Sequence, residues 1–199
     1  MKKLVLCTIM LLLVLGTAGC SKKELFITAD DITADTLLAK ANGQLQVATI
    51  EDFDKSYYNL TELKDFVTNE IKSYNKTTGE EKITFEDVQL RSGKAIMLLS
   101  YSGMDQYSAF NEVSAAYFNG GIKDNPLELP ATLINTKNES LASTEEVIQN
   151  EKYKVLVMNE PYDIIVDGKV KYFSENAKLI DDNKVTCAEE GMTVIVFKP

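Results

Sequence analysis

The stretch Thr36-Leu37-Leu38-Ala39-Lys40-Ala41-Asn42-Gly43-Gln44-Leu45-Gln46-Val47-Ala48-Thr49 decides how the folded part of this chain is read. Two apolar segments, 36–41 and 44–49, flank Asn42-Gly43, the dipeptide whose readily positive φ suits a two-residue type I′ turn. Counting back from that turn pairs Leu38 with Val47 and Lys40 with Leu45. It predicts that Leu38, Leu45 and Val47 share one face of a β-hairpin.

Outward from the hairpin, helical spacing takes over. Thr49 is expected to cap a short helix carrying Ile50, Phe53 and Tyr57. Thr61 is expected to cap a longer one with Leu63, Phe66, Val67, Ile71 and Tyr74 on its apolar stripe, ending near Asn75. A second hairpin follows, 82–91 with 94–101 through Ser92-Gly93, and Ala95-Ile96-Met97-Leu98-Leu99 reads as its buried strand. Ser102 with Asp105 resembles a capping box, opening a helix with Tyr107, Phe110, Val113 and Tyr117 on one stripe that stops at Gly120-Gly121. Residues 25–121 thus read as a hairpin-helix-hairpin-helix unit, an antiparallel sheet covered by helices.

Beyond Gly121 the chain passes Pro126 and Pro130, then a strand at 131–134 and a brief helix opened by Ser143 and Glu146. Six short strands follow, at 154–158, 162–166, 169–173, 178–180, 184–187 and 192–197, with Asp167-Gly168 as a hairpin dipeptide. Residues 122–199 are therefore expected to form a mostly β meander or small barrel, separate from the first unit or continuous with it. The fold class expected from the whole is α+β.

The amino terminus carries a different kind of signal. Lys2 and Lys3 precede an apolar run, Leu4 to Leu15, and Gly16, Thr17, Ala18 and Gly19 close it on small residues before Cys20. The run is shorter than the roughly 20 residues needed to cross a bilayer. Leu15 to Cys20 resembles the lipobox of bacterial lipoproteins, with Thr17 where that family usually has Leu. The resemblance implies that residues 1–19 are a signal peptide and that Cys20 accepts a lipid bearing fatty acyl chains such as palmitate. Residues 20–24 would then be a short lipidated tether, holding the domain by the cell membrane on its extracytoplasmic face. The remainder is similar in style to uncharacterised small lipoproteins of low-G+C bacteria, a likeness that transfers no site residues.

Composition narrows the chemistry. The chain has 21 basic and 30 acidic residues, a net charge of −9. Residues 1–19 contain two of the lysines and no acid, which leaves the rest at −11. That excess of acid disfavours nucleic acid, whose binding runs on phosphate neutralisation, and disfavours peripheral adsorption to anionic lipid beyond the anchor itself. There is no histidine and no tryptophan, and Arg91 is the one arginine. Ser-His-Asp and Cys-His catalysis and most catalytic zinc sites are thereby excluded. With Cys7 in the signal peptide and Cys20 lipidated, Cys187 is left alone, in step with Val185 and expected to be a small buried side chain.

The remaining motifs are weak. Ser73-Tyr74-Asn75-Lys76 has the spacing of penicillin-recognising serine enzymes, but Ser73 closes a helix where that chemistry requires it to open one. Asp30, Asp31 and Asp35, or Glu51, Asp52 and Asp54, could offer oxygen ligands to calcium, but neither set has the spacing of a calcium loop. No catalytic, metal or cofactor residue is selected. Tyr57 and Tyr58, and Tyr117 beside Phe118, place neighbouring aromatics on divergent faces, making Tyr57, Tyr58 and Tyr117 the candidate binding surface. The function expected is a noncatalytic surface lipoprotein that binds an envelope protein or a small molecule. The alternatives are a histidine-free envelope hydrolase using two carboxylates and a structural or assembly accessory of the envelope.

Overall fold

Asn42-Gly43 does turn the chain, but one residue out of the expected phase. The computed structural model describes residues 25–121 and 127–199; the expected signal peptide, Cys20 and the expected tether lie outside the described residues. Gly43 has φ +91° while Asn42 is not among the residues with positive φ, so the turn is not type I′. Instead the Gly43 N–H donates to Lys40 O, the Lys40 N–H donates to Gln44 O, and Asn42 Oδ1 accepts from the Gln44 N–H. This is a three-residue loop with glycine in the left-handed bulge position. Strand β1 (Thr36–Ala39) therefore pairs with β2 (Leu45–Asp52) as Leu37↔Val47 and Leu38↔Gln46. The slip turns Leu38 to the opposite face from Leu45 and Val47.

The helix expected after Thr49 is strand. Thr49 and Ile50 extend β2, opposite Met97 and Ile96, and the Asp35 carboxylate caps the exposed edge by accepting from the Ile50 N–H at 2.7 Å. Helix α1 (Leu60–Thr78) starts two residues earlier than expected, capped by Asn59, not Thr61: Asn59 Oδ1 accepts from the Thr61 and Glu62 N–H groups. It ends at Gly79 in the left-handed conformation, beyond the expected Asn75. Val67 and Ile71 are its buried residues, while Phe66 stands 63% exposed. The second hairpin, β3 (Ile83–Arg91) and β4 (Lys94–Tyr101), forms as read, with Ser92 at φ 52° and Gly93 at φ 75° as a type I′ turn demands.

Helix α2 (Met104–Asn111) is shorter than its stripe predicted. Its N-cap is Gly103 and no side chain caps it, so the Ser102 box does not form; Glu112 ends it in the left-handed conformation. Ala115–Asn119 is strand β5, with Ala115 and Tyr117 facing one core and Ala116 and Phe118 the other. Each face carries one small and one aromatic residue, and pairing with the strand at 154–158 overrides the helical reading.

Strands β6 (Thr132–Asn135) and β7 (Leu141–Ser143) precede α3 (Thr144–Ile148). The rest are β8 (Lys154–Met158), β9 (Asp163–Val166), β10 (Lys169–Phe173), β11 (Lys178–Asp181), β12 (Lys184–Thr186) and β13 (Thr193–Lys198). They form neither a meander nor a barrel. One open seven-stranded sheet runs β11-β12-β9-β1-β2-β4-β3 and one open six-stranded sheet runs β5-β8-β13-β10-β6-β7. Asp167-Gly168 is not a hairpin turn: it carries the chain from β9 in one sheet to β10 in the other. Both sheets draw strands from each side of Gly121, and β1 with β9 is a parallel pair. The α+β expectation is thus corrected to a mostly β architecture of two packed sheets.

Alternating residues explain the packing. Leu37, Leu45 and Ile164 of the larger sheet meet Leu156, Ile195 and Phe197 of the smaller in one core, which α1 and α2 extend through Val67, Ile71, Met104 and Tyr107. The outer face of the larger sheet, Leu38, Ala48, Ile96 and Leu98, is covered by a strap, residues 25–32, through Ile27, Ala29 and Ile32. Helix α3 covers the outer face of the smaller sheet with Val147 and Ile148.

Candidate functional site

The strap gives the molecule two distinguishable ends. The Ile27 N–H donates to Gln46 Oε1 at 2.7 Å, and Ile32 O accepts from the Arg91 guanidinium at 2.6 Å. The strap therefore travels in the direction of β2, from the end bearing the 40–43 turn to the end bearing Ser92-Gly93. From Gln46 to Phe53 is roughly 20 Å at strand rise.

At the far end lies an aromatic group. Residues 53–59 connect β2 to α1 as an irregular loop, because the Phe53 N–H is taken by Gly93 O at 2.7 Å and the Tyr58 N–H by Lys55 O at 3.0 Å. Phe53 and Tyr58 stack at 4.9 Å between ring centroids with planes 27° apart, and Tyr57 meets Tyr58 edge-on at 4.9 Å. Tyr57 is 76% and Tyr58 43% exposed. Stacking on Phe53 limits the freedom of Tyr58, so less side-chain entropy is left to lose when the pair is covered. The surrounding carboxylates are Glu51, Asp52 and Asp54; Lys94 lies 2.6 Å from Asp52, and its hydrogen bond and charge hold the Asp52 carboxyl below the usual carboxylate range.

Tyr117 does not join them. It lies on β5 at the opposite end, half-buried against Phe197, and its hydroxyl donates to Lys40 O at 3.2 Å with Ala41 O at 3.3 Å. Burial pushes this phenol up to about 12. The three tyrosines thus split into an exposed pair and a structural strut. Phe118 points into the outer core.

The acidic sets are spent locally. Asp35 accepts from Ile50, Asp31 from the Thr28 hydroxyl at 2.7 Å, and Asp54 lies 3.4 Å from Lys55. Among the described residues no group of three or more Cys, Asp or Glu is placed to hold a metal ion. Glu80, like Asp52, is held below its usual range, by Lys82, so neither suits the proton-donor half of a carboxylate pair at neutral pH. Ser73 sits inside α1, one turn before its end. Cys187 is buried, and burial pushes its thiol up to about 12 against the opposing hydrogen bond from Thr193.

Two concavities escaped the sequence reading. A largely apolar groove of about 540 Å³ lies between α1 and α2 over β4, lined by Phe66, Val67, Tyr74, Met97, Leu99 and Phe110. The exposed Phe66 within an otherwise regular helical stripe was its only sequence signal. A second cleft of about 600 Å³ is lined by Lys137, Lys169, Lys171, Lys198, Tyr153 and Tyr172 together with Asp182. Its residues come from five separated segments, and nothing in their spacing announces it. No helix among the described residues is long and apolar enough to cross a membrane. Comparison with models of protein families, with curated proteins and with solved structures gave no match.

Proposed function

We propose that the chain is a noncatalytic lipoprotein, held on the extracytoplasmic face of the cell membrane through a lipid on Cys20, that presents the loop of Phe53, Tyr57 and Tyr58 to an envelope protein. The observation that carries the reading is placement. The strap leads back towards Cys20 from one end of the larger sheet, and the exposed aromatics stand at the other. Rigid aromatics ringed by carboxylates and lysines have the make-up of an interface anchor with a polar rim. Such a partner would offer an apolar pocket with basic groups around it, matching Glu51, Asp52 and Asp54.

The test is photo-crosslinking in cells from a reactive side chain at position 57, with Leu90 as an exposed apolar control on the edge strand. The reading expects one protein captured from position 57 and not from position 90, lost when Tyr58 is changed to Ala. Equal capture from both positions would sink it, as would turnover of an envelope substrate by the purified chain.

A further inference from the structure

We infer that the lysine-lined cleft seats the phosphate headgroups of anionic lipids in the membrane leaflet that holds the anchor. The inference rests on the lipoprotein reading for its orientation. Its own ground is a local reversal of charge in an acidic chain: Lys137, Lys169, Lys171 and Lys198 meet around one cavity in which Asp182 is the carboxylate. Asp182 is engaged by Lys169 at 2.6 Å. The lining thus holds four lysines against one carboxylate although the chain as a whole carries −9, and it is the local charge that a surface within a Debye length experiences.

The fold brings these lysines to the end from which the strap starts. The Asp167 N–H donates to Ala39 O at 2.9 Å, so the 167–168 corner lies beside the 40–43 turn, and Lys169 begins β10 there. Lys198 pairs with Lys169 at the end of β13, and the Thr136 N–H donates to Lys171 O, bringing Lys137 alongside. A tether of five residues, 20–24, extends at most about 18 Å. With Cys20 in the bilayer, this end is the one that meets the surface.

The side chains suit a headgroup layer better than a closed phosphate site. Lysine is a point charge on a flexible stem and lacks the forked geometry that clamps one phosphate, so four of them favour a field of phosphates. Tyr153 and Tyr172 meet edge-on at 6.0 Å in the same cleft. Tyrosine, with an apolar ring and a polar tip, settles at the level of headgroups.

The full lipidated protein, reconstituted into vesicles of phosphatidylcholine with or without phosphatidylglycerol, tests this by the rate at which each lysine is acetylated, read by mass spectrometry. Phosphatidylglycerol is expected to slow labelling of Lys137, Lys171 and Lys198 by about fivefold or more, reversibly with salt, and to leave Lys55 and Lys94 unchanged. In the triple variant Lys137→Gln, Lys171→Gln, Lys198→Gln, the protection of Lys169 should be lost. Unchanged labelling of the three lysines overturns the inference, as does equal slowing at Lys55 and Lys94. Protection by soluble glycerol phosphate on phosphatidylcholine vesicles, with no effect of phosphatidylglycerol, also overturns it, in favour of a free phosphate ligand. The mass of the amino-terminal peptide in the same digest reports the lipid on Cys20. A missing lipid therefore defeats the anchor reading visibly, and cosedimentation of the unlipidated chain with the same two vesicles still decides the cleft.

Discussion

The Tyr117 hydroxyl donates to the Lys40 carbonyl oxygen at 3.2 Å, tying the edge strand of the smaller sheet to the turn that closes the first hairpin of the larger one. Removing only the hydroxyl leaves the ring against Phe197 and takes away the bond. Tyr117→Phe should therefore cost about 1 kcal/mol, seen as a lower urea midpoint with an unchanged slope. No loss would mean that water serves the two carbonyls equally well.

Gly168 and Gly43 should respond to alanine for different reasons and by different amounts. A Cβ at Gly43 would find only the Tyr117 ring, at 3.6 Å, so the cost is the strain of φ +91° in a residue with a side chain, about 1 to 2 kcal/mol. A Cβ at Gly168 would land on the Lys198 carbonyl oxygen and lie 2.9 Å from the Pro199 Cα. That is backbone, with no rotamer to yield, and it sits where the chain changes sheet. Gly168→Ala is expected to cost about 3 kcal/mol or more. Equal losses in thermal melts of the two variants would contradict the close approach at the corner.

Asn59→Ala should lower stability by about 1 kcal/mol, because the side chain accepts from two amides at the start of α1. Thr61→Ala should be nearly neutral, since Thr61 supplies one of those amides and no cap. Paired denaturation curves decide between the two caps, and the reverse ranking would restore the one read from sequence.

That pair illustrates what was legible and what was not. Local chemistry locates elements: Ser92-Gly93 gave its hairpin, and the strands at 154–158 and 169–173 appear with the expected bounds. Neighbouring signals of equal merit are beyond it, as with Asn59 against Thr61, or Asn42-Gly43 as a two-residue or a three-residue loop. A single residue of phase there moved Leu38 to the other face of the sheet. Helical spacing misled over 112–117 and 50–57 because a few apolar residues satisfy both periods, and pairing of 115–119 with β8 and of 50–52 with β4 decides. The two sheets were not legible because their assembly is non-local: β1 against β9 joins residues 36–39 to 163–166, and no turn signals it. The same non-locality hid the lysine cleft, whereas the exposure of Tyr57 and Tyr58 was legible because adjacent aromatics are a local feature.

Alkaline pH should unfold the protein well before its lysines discharge fully. Burial pushes Tyr101 and Cys187 each up to about 12, and both are almost wholly inaccessible. In the unfolded chain these groups lose their protons near pH 10 and 8.5 respectively. Between those values and pH 12 the folded state holds protons that the unfolded state has released, so stability is intact below about pH 8.5 and falls as pH rises. Two such groups contribute a slope of about 3 kcal/mol per pH unit between pH 10 and 12. Tyr162, also pushed up to about 12 by burial with Asp35 facing it, adds a smaller part because solvent reaches it. The check is a series of urea titrations from pH 7 to 11, with Cys187 labelled by a thiol reagent at each pH. Labelling should be negligible at pH 7 and should appear in step with unfolding, and rapid alkylation of the folded protein at pH 8 would show that the thiol is neither buried nor raised.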